Sequence, residues 1–175
     1  MTTQPEETLI ELIRYNNWAN AQILAVCQEL TPEQLASTVP GTYGNIHETL
    51  GHMIFAEADY IGRLTGDRPQ PQFKWENGPS VAEIFAFSSQ VANALLDAVR
   101  RISPTHIVHE EEDGNFIEYH ARHLFIQTIN HGIEHRTNIT TILSSLGLST
   151  LEVDGWGYLM AHPEKFEMKE GSLNG

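Results

Sequence analysis

The chain has 175 residues, 41% of them hydrophobic and 19% charged, with 10 Lys+Arg against 23 Asp+Glu and a net charge of −13. That apolar share suffices for the core of one domain, expected over residues 1–175, and argues against general disorder. The acidity argues against a nucleic-acid partner, since sequence-independent affinity for a phosphate backbone comes from Lys and Arg releasing counterions. No run of about 18 apolar residues is present, and the start MTTQPEETLIELIR lacks the basic and apolar regions of a signal peptide. A soluble, cytoplasmic protein with no membrane partner is expected. The lone Cys27 excludes a disulfide framework and cysteine-rich zinc sites. Any metal chemistry therefore falls to carboxylates and to the nine histidines.

In chain order, residues 6–30 place Leu9, Ile10, Ile13, Ala19, Ile23 and Val26 at mixed three- and four-residue steps, the pattern of a long amphipathic helix. Thr31-Pro32-Glu33-Gln34 has the form of a capping box with Pro at the first helical position, so a short helical turn follows. Asn45 with Glu48 three residues on opens a second long helix that stops at Gly66. Residues 66–79 read as a loop, and Ser80 with Glu83 opens a third helix running to about Arg101. Past Pro104, two short apolar pairs flank Asp113-Gly114, a favoured tight-turn pair. A small hairpin or an extended crossover fits there. A fourth long helix runs from about Ala121 to Leu146 and ends at Gly147. The tail, 147–175, is expected to pack with one short helix from Asp154. The expected fold class is all-α: a four-helix bundle over 6–146 with a long crossover before the last helix, an architecture whose core commonly holds ligands and metals.

On a wheel of roughly 100° per residue, His131 and His135 share an inward line with Leu124, Thr128, Asn138, Ile142 and Leu146. Two imidazoles at i and i+4 can meet one cation. Nine histidines also produce such pairs by chance, so the pair alone leaves both readings open. On the second helix His52 flanks the apolar face and can turn toward a neighbouring groove, whereas His47 lies more than a third of a turn away. His106, His109, His120, His123 and His162 fall in the crossover and tail, where histidines are ordinarily surface groups. The start His47-Glu48 is not completed as His-Glu-x-x-His because position 51 is glycine. None of the four helices carries the Glu-x-x-His of di-iron bundles.

Tyr15-Asn16-Asn17-Trp18-Ala19-Asn20, then Asn45 to Met53 with Ala56-Glu57 and Tyr60, then Asn130-His131-Gly132-Ile133-Glu134-His135-Arg136 resemble the motifs of the DinB/YfiT-like superfamily, in order and spacing over about residues 8–146. The resemblance implies a four-helix bundle with a three-histidine metal site, carried here by His52, His131 and His135; Asp154 also matches the pattern. It implies a divalent ion, zinc suiting the ligands best, with nickel and iron as alternatives. Members of the superfamily are described as metal-dependent hydrolases, thiol S-transferases or thiol-dependent isomerases. A small-molecule substrate and a low-molecular-weight thiol are the implied partners, with a non-enzymatic metal-binding stress protein as the competing class. Many relatives have His-His-Arg-Gly-Gln where this chain has Glu134-His135-Arg136-Thr137-Asn138, and often Trp at Tyr60. The ligand positions survive and Tyr60 keeps an aromatic wall; the first departure bears on the identity of the substrate pocket. Glu57 and Glu134 are the acidic residues nearest the ligands and the candidates for a general base. Ile126, Ile129 and Ile133 form a second apolar stripe on the last helix, from which a homodimer is expected.

Overall fold

A computed structural model describes residues 4–112, 114–149 and 151–165. Its long helices are α1 (Gln4–Cys27), α3 (Ile46–Thr65), α4 (Val81–Arg101) and α5 (Arg122–Ser145); α2 (Pro32–Leu35) and α6 (Gly155–Ala161) are short. Helix α1 packs on α4 and α5, and α3 packs on the same two, closing a ring. Ile13, Ile23 and Leu24 of α1, Leu50, Met53 and Ile54 of α3, Ile84 and Leu95 of α4, and Phe125 and Ile139 of α5 fill its centre. Among the described residues no helix is long and apolar enough to cross a membrane.

The capping residues act as the sequence indicates. Asn45 Oδ1 accepts from the Glu48 backbone N–H at 2.8 Å while Glu48 Oε2 accepts from Asn45 N–H. Thr31 with Gln34 and Ser80 with Glu83 close α2 and α4 in the same reciprocal way. Each such cap stabilises its helix by roughly 1 kcal/mol. At the far end of α3, Gly66 adopts φ 76°, a left-handed conformation that Gly takes without strain.

The all-α expectation is corrected in the crossover. Strands β1 (Ile107–Glu112) and β2 (Asn115–His120) pair antiparallel from Ile107↔His120 to Glu112↔Asn115, so the mostly helical fold includes a small two-stranded sheet. The register leaves two residues for the turn; Gly114 has φ 76°, and Asp113 lies outside the described residues. Val108 is buried, and Tyr119 donates to Glu110 Oε1 while Arg63 of α3 donates to Glu110 Oε2, which ties the hairpin to the helices. The loop expected over 66–79 also contains a 3₁₀ turn, Trp75–Asn77, which fixes the Trp75 side chain.

Of the tail, position 150 and residues 166–175 lie outside the described residues. Its short helix α6 starts as expected, with Asp154 Oδ1 accepting from Gly157 N–H. Tyr158 and Lys165 both donate to Glu11 Oε1, and Tyr15 donates to the Val153 carbonyl, so the tail is pinned to α1. Burial pushes the Glu11 carboxyl up, but the hydrogen bonds from Lys165, Tyr158 and Arg14 outweigh it and hold it down at about 2. Unfolded, this carboxyl takes a proton near 4.5. The attachment is therefore complete above that pH and lost as pH falls toward 2. Glu11 is 38% exposed, so solvent screens the effect. Trp18, which packs edge-on against Tyr158 at 5.4 Å, reports it: its fluorescence is expected to change between pH 4.5 and 2 in the native chain. In Glu11→Gln the change is expected to be present already at neutral pH. Superimposable pH profiles of the two proteins would contradict this account.

Candidate metal centre

His52 projects from α3, and His131 and His135 from α5, two helices in direct contact. His131 Nε2 lies 3.0 Å from His52 Nε2 and 3.0 Å from His135 Nε2. One nitrogen from each ring falls within 4.8 Å of the other two, so the three could hold a metal ion. Nitrogens bound about 2.0–2.1 Å from a tetrahedral zinc stand roughly 3.3 Å apart, close to the spacing seen here. His131 is 8% exposed and His135 3%. Burial, followed by the neighbouring His135 and His52, pushes His131 down to about 4. Burial also lowers His52 and His135, with Glu134 opposing in both cases. Neutral rings with free lone pairs are the form a divalent cation requires.

The Nδ1 atoms of His131 and His135 are buried and have no hydrogen-bond partner among the described residues. Tyr43, in the loop before α3, stacks on His52 at 4.2 Å and 18° and meets His135 edge-on at 5.1 Å. Tyr60 of α3 closes on His131 at 5.9 Å. The aromatic residue at position 60 thus forms a wall of the site, as its place in the motif implies.

His47 takes no part: its Nε2 lies 2.7 Å from the Pro79 carbonyl oxygen, and its ring stacks on Trp75. The remaining histidines are dispersed. His109 pairs across the hairpin with Glu118 at 3.0 Å, His120 Nδ1 lies 3.0 Å from the Thr105 carbonyl oxygen, and His162 Nδ1 lies 2.7 Å from that of Tyr158. His106 and His123 are exposed.

Sequence reasoning missed what surrounds the histidines. Asn16 and Asn20 of α1 both donate from Nδ2 to Glu57 Oε1, at 2.7 and 2.9 Å, and Arg136 Nη1 donates to both asparagine Oδ1 atoms, at 2.8 and 2.6 Å. All four residues are at most 2% exposed. Burial raises the Glu57 carboxyl, opposed by Asn16, Asn20 and Arg136, and burial lowers Arg136. Glu57 Oε1 is thus committed to α1, and among the described residues no hydrogen bond links Glu57 to the three histidines. One signal was available: Asn16 and Asn20 lie on the same helical face as Ile13, Ile23 and Leu24, and polar groups on an apolar stripe need partners. Gly132 makes room for the network, because a Cβ there would fall 2.4 Å from Asn16 Oδ1.

Fold and cluster together define a mostly helical protein with three converging histidines able to hold a metal ion. The model of the DinB family matches residues 1–168, and the chain belongs to that family. It is 23% identical over 166 residues to protein DinB of Bacillus subtilis, covering 89% of this chain and 96% of that one. The crystal structure of a DinB-like protein from Bacillus cereus is similar in fold, with a TM-score of 0.62 at 19% identity over 85% of this chain and 97% of that chain.

Proposed function

We infer that His52, His131 and His135 hold one divalent ion, zinc suiting the donor set best, and that the protein uses it to transfer a small thiol to an electrophile. The four long helices around one core are, on this reading, the four-helix bundle of the family. The carrying observation is the convergence of three imidazole nitrogens beside a cleft of about 620 Å³ that His52 itself lines. An open cleft at the cluster supports an enzyme over a storage or purely structural protein.

A divalent ion bound there supplies Lewis acidity, which favours the deprotonated form of a thiol or of water. The chain's part is to present three neutral donors, to cover two of them with Tyr43 and to keep bulk water from the buried face of His135. Thiol transfer is the reading taken first and hydrolysis the alternative; of the two carboxylates nearest the ligands in sequence, Glu134 is the one whose charge acts on His52 and His135. Glu57 is locked to Asn16 and Asn20, and among the described residues no carboxylate hydrogen-bonds to the three histidines. Chelation is expected to abolish activity against a panel of thiols and electrophiles, and zinc to restore it. If no thiol consumes any electrophile while an ester or amide is cleaved, the hydrolase reading takes over.

The same reading includes a two-fold dimer through α5. With the described part of the tail in place Ile126 and Ile133 are still 55% and 44% exposed, Ile133 bordering the tail at residues 151–154, whereas Ile129 packs against the core. Light scattering at micromolar concentration is expected to give twice the 19.7 kDa chain mass, and Ile133→Glu to halve it. A native mass near 20 kDa overturns the dimer.

A further inference from the structure

The cleft at the histidine cluster is lined by Tyr43, Glu48, Gly51, His52, Phe55 and Trp75. Its volume of about 620 Å³ lies within the range of small-molecule sites, roughly 300–1,000 Å³. Three aromatic rings reach it from three separate segments: Tyr43 from the loop before α3, Phe55 from α3 and Trp75 from the 3₁₀ turn. Their positions are held firmly. The Trp75 indole stacks on His47 at 5.0 Å and 25° and meets Phe55 edge-on at 5.8 Å. His47 is itself set by its contact with the Pro79 carbonyl. Beneath the indole lies Gly51, where a Cβ would fall 2.2 Å from the ring. Glycine in the middle of a helix is unfavourable relative to alanine. Its presence here, one residue before His52, is what lets Trp75 lie against the helix at the mouth of the cluster.

Charge in the cleft is one-sided. Apart from His52, its ionisable lining groups are the Tyr43 phenol and the Glu48 carboxylate, whose Oε2 accepts from Asn45 N–H; among the described residues no lysine or arginine lines it, and Arg68, whose guanidinium lies 5.8 Å from the Phe55 ring centroid, is paired with Asp59. Ring faces carry the negative side of the aromatic quadrupole and attract cations or flat apolar groups. An anionic substituent would meet those faces and Glu48 in a chain of net charge −13.

We propose that this cleft binds the non-reacting body of the substrate, a flat apolar group that is neutral or cationic, and that Tyr43, Phe55 and Trp75 determine specificity while the reacting end lies at His52. The assignment rests on the reading of the histidines as the reacting centre and supplies its substrate class. Reaction chemistry is not needed to test it. Binding of 2-naphthalenemethanol, (2-naphthylmethyl)trimethylammonium and 2-naphthoate is measured by calorimetry on the full chain after chelation.

The alcohol and the ammonium compound are expected to bind at least ten-fold more tightly than the carboxylate. Trp75→Leu and Gly51→Ala are each expected to weaken both by ten-fold or more. Gly51→Ala removes no lining ring and favours the helix, so loss of binding in a variant with unchanged helical circular dichroism points to displacement of the indole. His109→Ala, on the hairpin and outside the lining, is expected to bind the two probes as the native chain does. Naphthoate binding as tight as the others, or full binding in both Trp75→Leu and Gly51→Ala, overturns the proposal. Loss of probe binding in His109→Ala also overturns it, by placing the probe away from the cleft. The two readings fail separately: native chain that takes up no metal yet binds the naphthyl probes refutes the metal centre alone, and the converse refutes the cleft alone.

Discussion

His131→Ala is expected to lose more than roughly 100-fold in metal affinity, a greater loss than the 10–100-fold typical of removing a residue that only supports a ligand. His131 is the middle of the three, 3.0 Å from each neighbour. Its removal leaves His52 and His135 on different helices without the donor between them. Element analysis after dialysis against zinc is the measurement, with native chain and His47→Ala as references. His47 is turned toward Pro79 and Trp75, so His47→Ala is expected to retain stoichiometric metal. Full zinc content in dialysed His131→Ala would remove the basis for the three-histidine centre. Folding does not confound the comparison, since both variants can be checked by circular dichroism and thermal unfolding.

The second large effect concerns stability. Arg136→Met would leave the Glu57 carboxylate, 2% exposed, without the positive charge that faces it through Asn16 and Asn20. Removing one partner of a buried charge pair costs about 3–5 kcal/mol. In a chain of this size that corresponds to a fall in Tm of roughly 6–20 °C, at ~2–4 °C per kcal/mol. Glu57→Gln should be similarly harmful in the native background, because it leaves the Arg136 guanidinium, 2% exposed, without the carboxylate that faces it. Arg136→Met with Glu57→Gln is expected to be less destabilised than the sum of the two, since neither charge is then buried alone. Strict additivity in calorimetric unfolding would mean that the two side chains do not interact.

The network also explains why α1 belongs to the metal centre without contributing a ligand. Glu57 stands five residues after His52 on α3, and Arg136 immediately follows His135 on α5; α1 supplies the two asparagines that join them. The helices that present the histidines are thus clamped to each other through the third. Buried polar connections of this kind are satisfied in one arrangement and costly in others, so they select a particular helix register more strongly than apolar contacts do.

Much of this was legible in advance because it depends on local patterns. The three capping boxes mark the starts of α2, α3 and α4, Gly66 and Gly147 mark the ends of α3 and α5, and Asp154 marks the start of α6, since each signal involves backbone groups within a few residues. The inward line of His131 and His135 follows from helical periodicity alone. Choosing His52 over His47 also follows, because the two point more than a third of a turn apart on one helix.

Other features depended on residues far apart in the chain. Asn16 finds Glu57 across 41 positions and Arg136 across 120. No local rule links them, and a carboxylate beside a histidine motif reads as a catalytic base until its partners are known. Trp75 sits in a segment with the composition of a loop, and Gly51 looks like a weak point in α3 until the indole is found lying against it. Tyr43 reaches His52 only because α2 and the loop fold back over the start of α3. What the amino-acid order determined by itself is where helices begin and end, which face of each is apolar and which histidines share a face. Tertiary packing alone decided which carboxylate is buried, which rings wall the cleft and how close three nitrogens come, because these quantities depend on distances between helices, and those are set by side chains meeting across the core.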